Sequence, residues 1–99
     1  MINNLHENNF DSLIKDGTKL VAFTAPWCGF CNKQKPVLEE LSKHNIWVGA
    51  VNGDNNPHLT TRYSIQAFPS FIIFKDGKVI SQFAGYHTKE ELVKLISKA

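Results

Sequence analysis

The stretch that decides the fold runs Lys19-Leu20-Val21-Ala22-Phe23-Thr24-Ala25-Pro26-Trp27-Cys28-Gly29-Phe30-Cys31. Its first six residues are apolar on both faces and rich in β-formers, which is typical of a central strand in a sheet covered on both sides. A helical pattern begins after Cys28, with apolar residues on one side at Cys31, Val37, Leu38 and Leu41. We expect Pro36 to kink this helix, because proline removes a backbone hydrogen bond and crowds the preceding turn.

The segment upstream of this stretch contains one strand-like and one helix-like pattern. A short strand is predicted over residues 2–5, and a helix over residues 9–15. The helical spacing places Phe10, Leu13 and Ile14 on one face. The helix is expected to stop at Gly17.

The segment downstream of the long helix repeats the strand–helix alternation. A strand over residues 47–52 leads into a polar stretch that ends at Asn56-Pro57. Asn56 is a favoured helix cap, and Pro57 suits the first helical position. A short helix over residues 59–63 follows.

The last third of the chain has a different pattern. Two strand-like runs, residues 70–74 and 79–84, flank Asp76-Gly77, a strong signal for a two-residue hairpin turn. Thr88 and Glu91 have the spacing of a capping box at the start of a terminal helix. The predicted order is βαβαβαββα, an α/β fold with a central mixed sheet and helices on both faces.

Composition restricts the classes of function. A chain of 99 residues has room for one hydrophobic core, so we expect a single domain over residues 1–99. The net charge is +2 and the basic residues are scattered, which argues against nucleic-acid binding. The longest apolar blocks, residues 20–25 and 71–74, fall far short of the roughly 18 to 20 residues that cross a membrane. With no signal-peptide pattern at residues 1–7, we expect a cytoplasmic protein.

The chain has two cysteines, Cys28 and Cys31, three positions apart. Crosslinking so short a loop would contribute only about 2 kcal/mol by chain entropy, so the pair indicates redox chemistry rather than bracing. A zinc site is one alternative, but it needs four ligands, and the four histidines lack the usual H-x₃₋₅-H spacing. Two inert core cysteines are the other alternative.

The two cysteines are expected to have different roles. If Cys28 begins a helix, unpaired backbone N–H groups and the positive end of the helix dipole favour its thiolate. Cys28 is then an exposed nucleophile that attacks a substrate disulfide. Cys31, one turn later and carried inward, attacks Cys28 in turn and releases the reduced substrate.

Trp27-Cys28-Gly29-Phe30-Cys31 resembles the active-site segment of the thioredoxin family, whose pattern is W-C-G-P-C. Phe68-Pro69 is similar to the family's cis-proline segment, and Pro36, residues 55–57 and Gly85 match in the same register. The resemblance covers nearly the whole chain. It implies the thioredoxin fold, protein-disulfide reduction and electron transport through a redox-active disulfide, and no bound cofactor or metal.

The resemblance also implies a surface that receives substrates, here called the docking surface. Its implied members are Trp27, Gly29, Phe30, Phe68, Pro69, Ala84 and Gly85. In the family, the residue at Pro69 packs beside the two sulfurs and lets the preceding backbone pair with an extended substrate. The implied partners are a thioredoxin reductase and disulfide-containing proteins, the implied state is a monomer, and the implied role is cell redox homeostasis.

The sequence departs from the family at three positions. The family's buried aspartate falls at Ala22, its lysine partner near Ala50, and its proline between the cysteines at Phe30. The proton acceptor for Cys31 is therefore missing from its expected place. His87, two residues after Gly85, is a candidate by position, but we expect it to be a solvent-facing loop residue. Loss of a buried negative charge and an added N–H at Phe30 both favour the thiolate, so we expect a less negative reduction potential than that of a thioredoxin with the full pattern.

Three other functions compete with protein-disulfide reduction. An oxidase or isomerase of the same fold would use the same cysteines at a different potential. A binding or chaperone module would use the apolar docking surface without redox chemistry. A glutaredoxin-type role fits less well, because the site lacks that family's C-P-Y-C pattern and has no nearby basic cluster.

Overall fold

A computed structural model describes all 99 residues of the chain. Its elements, in chain order, are β1 (Asn3–Leu5), α1 (Phe10–Leu13), β2 (Thr18–Thr24), α2 (Gly29–Ser42), β3 (Val48–Asn52), a 3₁₀ turn (Gly53–Asn55), α3 (Pro57–Arg62), β4 (Ser70–Lys75), β5 (Lys78–Ala84) and α4 (Lys89–Ser97). The predicted order βαβαβαββα is confirmed. The longest helix, α2, has 14 residues, and none of the helices has the length and apolar character needed to cross a membrane.

The five strands form one mixed sheet in the order β1-β3-β2-β4-β5. β1, β3 and β2 are parallel, whereas β4 and β5 run antiparallel to their neighbours. β2 is the middle strand, as its two-sided apolar pattern predicts. The carboxyl end of β2 therefore lies at the centre of one sheet edge, where the two cysteines follow it.

Each face of the sheet carries its own core. On one face, Phe10 and Ile14 from the α1 segment and Leu59 from α3 pack on the strands. On the other, Leu38 and Leu41 of α2 and Leu92 of α4 do so; the Ala22 side chain belongs to this second core. Helix α2 is thus anchored on this face of the sheet.

The α1 segment differs from its predicted form. Helix α1 spans a single turn rather than residues 9–15, and Leu13 is 38% exposed. Phe10 and Ile14, four residues apart, lie on the same side of the turn and are buried, whereas Leu13 lies at its edge. The centre of this core is aromatic, because Phe10 and Phe74 meet edge to face with ring centroids 5.7 Å apart.

The predicted turn and cap signals are mostly confirmed. Asp76 and Gly77 both have positive φ, 51° and 83°, as a tight hairpin requires. Thr88 and Glu91 form the capping box at the start of α4. Asn56 stands at the N-cap of α3, but its side chain does not cap the helix. It accepts the Glu7 N–H and donates to the Asn52 carbonyl instead, because two nearby loops compete for the amide.

Helix α2 continues through Pro36 from Gly29 to Ser42. Its inward face carries Cys31, Leu38 and Leu41, as predicted, with Val37 half-buried beside them. The same face carries Gln34, which is fully buried. The apolar pattern does not predict this residue, because glutamine is usually exposed.

Candidate active site

Cys28 and Cys31 are free thiols at the junction of β2 and α2. Cys28 is the N-cap residue, and its Sγ accepts the backbone N–H of Cys31 at 3.2 Å. The Cys28 thiol also donates to the backbone carbonyl of Phe68 at 3.4 Å. Its sulfur is therefore held between the first turn of α2 and the segment that precedes β4.

The prediction that Cys28 is exposed while Cys31 points inward is wrong for Cys28. Both are 6% exposed, and both pack with Ala25 and Phe68 in a small cluster. The Cys28 side chain is covered because a sulfur that caps a helix folds back over the first turn. The cysteines differ instead in their contacts, since the Cys28 thiol donates to the Phe68 carbonyl whereas Cys31 lines a groove bounded by α2 and β3.

Burial changes the acidity of the inner cysteine. It raises the pKa of the Cys31 thiol to about 11, with the side-chain hydrogen bond to Cys28 as the second cause. Cys31 is therefore protonated at neutral pH. It must release its proton before it can act as a nucleophile.

The expected donor at Phe30 is not used. The Cys28 Sγ accepts the N–H of Cys31, and no hydrogen bond joins it to the N–H of Phe30. The replacement of the family's proline by Phe30 therefore adds an exposed aromatic ring rather than a donor to the sulfur.

Two exposed aromatic side chains border the cysteines. Trp27 is 69% exposed and Phe30 is 64% exposed, as their positions in a loop and a first helical turn predict. The Trp27 indole Nε1–H donates to Asp54 Oδ2 at 2.9 Å, and its ring meets the Phe68 ring edge to face at 5.7 Å. Asp54 thus fixes the orientation of Trp27. The sequence does not identify it, because it lies 27 residues away in the polar turn after β3.

The other implied members of the docking surface lie beside this aromatic border. The Phe68–Pro69 peptide bond is cis, and Pro69 is buried. The Gly85 N–H donates to the Pro69 carbonyl at 2.9 Å, and Ala84 pairs with the first residue of β4. Gly29 opens α2 with free space where a Cβ would lie. Phe68 thus contacts the Cys28 sulfur directly, and Gly85 and Ala84 pair with the two residues that follow Phe68. The role of these residues in substrate docking stays a prediction.

Comparison with known proteins decides the family. The family model described as Thioredoxin matches residues 1–98. The chain belongs to the thioredoxin family. It is 36% identical over 100 residues to a thioredoxin of Chlamydia caviae, covering 99% of this chain and 98% of that protein. It is 38% identical over 97 residues to one of Staphylococcus epidermidis, covering 93% and 91%.

A solved structure gives the same result. A thioredoxin variant from Halobacterium salinarum NRC-1 superimposes with a TM-score of 0.92 at 25% identity, covering 97% of this chain and 88% of that one. The chain has the thioredoxin fold and belongs to a family of thiol–disulfide oxidoreductases. Thioredoxins use a redox-active disulfide and no prosthetic group. No group of three or more His, Cys, Asp and Glu side chains is placed to hold a metal ion.

The positions of the family's acid and lysine are neighbours in this member of the thioredoxin family. Ala22 of β2 pairs with Ala50 of β3 on the face covered by α2. Ala22 is fully buried, whereas Ala50 is half-buried and lines the groove that reaches Cys31. Two small apolar side chains therefore stand where the family places a charged pair.

His87 does not replace the missing acid. It is half-buried rather than solvent-facing, with its ring 4.8 Å from that of Phe83 and 5.7 Å from that of Phe71. Its Nδ1 lies 2.7 Å from the Gly85 carbonyl. The ring thus packs the loop after β5 onto the strands, and neither its aromatic contacts nor its hydrogen bond involves a cysteine.

Proposed function

We propose that the chain is a protein-disulfide reductase in which Cys28 is the nucleophile and Cys31 the resolving residue. The observation that carries this proposal is the Cys28 sulfur, which caps α2 through the Cys31 N–H beside the exposed rings of Trp27 and Phe30. A backbone N–H and the helix N-terminus favour negative charge on that sulfur. The apolar border offers a protein substrate a surface to dock on.

The catalytic cycle consists of two successive thiol–disulfide exchange steps. The Cys28 thiolate attacks one sulfur of a substrate disulfide, and the other substrate sulfur leaves as a thiolate. Cys31 loses its proton and attacks the Cys28 sulfur, which releases the second substrate sulfur. The substrate gains two electrons, and the chain is left with a Cys28–Cys31 disulfide.

The docking surface is proposed to receive an extended substrate segment. The Phe68 carbonyl accepts the Cys28 thiol in the reduced chain, so loss of that proton frees the carbonyl to accept a substrate N–H. Trp27, held by Asp54, and Phe30 would flank the segment on one side. Gly29, Pro69, Ala84 and Gly85 would let it approach closely on the other.

We further propose a cytoplasmic role in cell redox homeostasis, as a monomer recycled by a thioredoxin reductase. Family membership supports a reductase and disulfide-containing proteins as partners. The scattered charges support a protein partner over nucleic acid.

A trapping experiment tests the assigned roles. Cys31→Ser should accumulate a mixed disulfide between Cys28 and an oxidised protein substrate such as insulin, because the resolving thiol is gone. Cys28→Ser is the matched control and should trap none. Mass spectrometry under non-reducing conditions reads the adduct. Trapping by Cys28→Ser alone would reverse the assignment.

A binding module is the second candidate, favoured by the two exposed aromatic side chains. The variant with both cysteines changed to serine distinguishes the two functions. Loss of insulin reduction together with loss of function in cells supports the redox proposal. Retained function in cells supports binding.

A further inference from the structure

A groove of about 410 Å³ leads from solvent to Cys31 along α2, and none of the seven docking-surface residues lines it. One wall is α2, which contributes Cys31, Lys35 and Glu39. Ala50 and Asn52 of β3 form part of the opposite wall. The groove therefore gives the inner thiol its own contact with solvent, separate from the docking surface.

The chemistry of the second step makes this route important. The sulfur of Cys31 must become a thiolate, although burial raises the pKa of its thiol. During that step the Cys28 sulfur carries the substrate, so the docking side is occupied. The Cys31 proton can leave to water through the groove. A positive charge there raises the fraction of thiolate, and because the thiol is mostly protonated at neutral pH, this gain outweighs the accompanying loss of nucleophilicity.

Lys35 is the cation placed to do this. It lies four residues after Cys31, so the two side chains are neighbours on one face of α2, about 5–6 Å apart at their Cβ atoms. Long helical side chains lean towards the helix N-terminus, which for Lys35 is the direction of Cys31. Lys35 forms neither of the two ion pairs of the chain, which join Arg62 to Asp11 and Lys89 to Glu40.

We propose that Lys35 stabilises the Cys31 thiolate across this groove and thereby sets the rate at which Cys31 resolves the mixed disulfide. The inference rests on the proposed function of the two cysteines. The thiol proton passes to water, and the sulfur electron pair forms the bond to Cys28. The Cys28–substrate bond breaks, and the substrate sulfur leaves with that electron pair.

Other charged groups near the groove also affect the stability of the Cys31 thiolate. Glu39, one turn beyond Lys35, lines the same groove with opposite charge and opposes the thiolate. The strands contribute neutral side chains there, including Asn52. The Met1 ammonium lies farther along α2, 2.8 Å from Ser42 Oγ, while Lys89 of α4 pairs with Glu40.

The test separates the two chemical steps. A nitrobenzoate disulfide releases one coloured thiolate when Cys28 attacks and a second when Cys31 resolves, so stopped-flow absorbance resolves both rates. For Lys35→Gln at low ionic strength and neutral pH, we expect the second phase to slow about fivefold to tenfold and the first to be unchanged. The defect should shrink in about 1 M salt, where the Debye length is about 3 Å.

Three matched variants complete the design. Lys33→Gln removes the same charge from the opposite side of α2, where Lys33 lies over the Tyr86 ring at 4.8 Å, and should resolve at the wild-type rate. Lys35→Arg should restore the rate. Glu39→Gln should resolve at the wild-type rate or faster, because it removes a negative charge from the groove.

The pH dependence of the second phase distinguishes an electrostatic role of Lys35 from a purely structural one, which would leave it unchanged. The pH at which the second phase reaches half its maximum should lie higher for Lys35→Gln than for the wild type. Wild-type resolution and pH profile in Lys35→Gln, or slowing by Lys33→Gln to the same extent, would overturn the inference. So would slowing by Glu39→Gln alone, which would make Glu39 a proton acceptor. All of these leave the trapping result of Cys31→Ser intact, so failure of the inference is distinct from failure of the proposed function.

Discussion

The side-chain amide of Gln34 forms two hydrogen bonds with the backbone of His87: its Nε2 donates to the carbonyl at 2.8 Å, and its Oε1 accepts the N–H at 2.9 Å. Gln34 is fully buried on the inward face of α2. His87 belongs to the loop that carries Gly85 of the docking surface. The amide therefore joins the helix of the two cysteines to the loop beside them.

We expect Gln34→Leu to destabilise the protein by about 2 kcal/mol, because it leaves two backbone groups of His87 without partners. At about 4–8 °C per kcal/mol for a domain of this size, the melting temperature should fall on the order of 10 °C. Thermal unfolding followed by circular dichroism measures the change. Gln66→Leu, at an exposed position, is the control and should shift the melting temperature little. Equal losses in both variants would contradict the role of the amide.

The two hydrophobic side chains of the α1 segment should differ in their effect on stability. Phe10→Ala removes a fully buried ring from the aromatic core and should cost about 3–5 kcal/mol. Leu13→Ala, at a side chain 38% exposed, should cost well under half of that. Urea unfolding of both variants measures the free energy of unfolding. Comparable costs would show that α1 buries both residues in solution.

The reduced protein should lose stability in alkali because of Cys31. Its folded-state pKa, about 11, lies above the ordinary value of 9.0, so the folded state holds the thiol proton more tightly than the unfolded state. This contribution to stability is fully present below about pH 9 and is lost as the pH rises towards 11. The melting temperature of the reduced wild type should fall more steeply over this range than that of Cys31→Ser. Parallel curves would contradict the raised pKa.

The reduction potential should be less negative than about −270 mV, the value of a thioredoxin with the full pattern. The physical reason is the absence of a buried carboxylate at Ala22, which would oppose a nearby thiolate. Equilibration with glutathione measures the potential. Ala22→Asp should make it more negative while lowering stability, because the position is fully buried. A wild-type value at or below about −270 mV would refute the prediction.

Local signals in the sequence predicted much of the fold. The Asp76-Gly77 turn, the Thr88–Glu91 capping box and the two-sided apolar strand β2 each depend on residues close together in the chain, so their patterns are visible without a structure. The predicted α1 was too long. A four-residue helix depends on tertiary packing, and it is too short for apolar periodicity to mark its ends.

The candidate site was less predictable where its contacts are distant in sequence. Gln34 and His87 are separated by 53 residues, and Trp27 and Asp54 by 27. No periodic pattern marks either pair. The burial of Cys28 also escaped prediction, because its sulfur both caps α2 and contacts the backbone carbonyl of Phe68, 40 residues away.

The hydrogen bond between Trp27 and Asp54 has a consequence for optical spectroscopy. It fixes a solvent-exposed indole beside the cysteines, whereas the other indole, Trp47, lies half-buried before β3 beneath the Lys19 ammonium at 4.6 Å. The two fluorophores therefore occupy unlike surroundings. A Trp47→Phe variant leaves Trp27, next to Cys28, as the single tryptophan, so the redox cycle can be followed in real time without an attached dye.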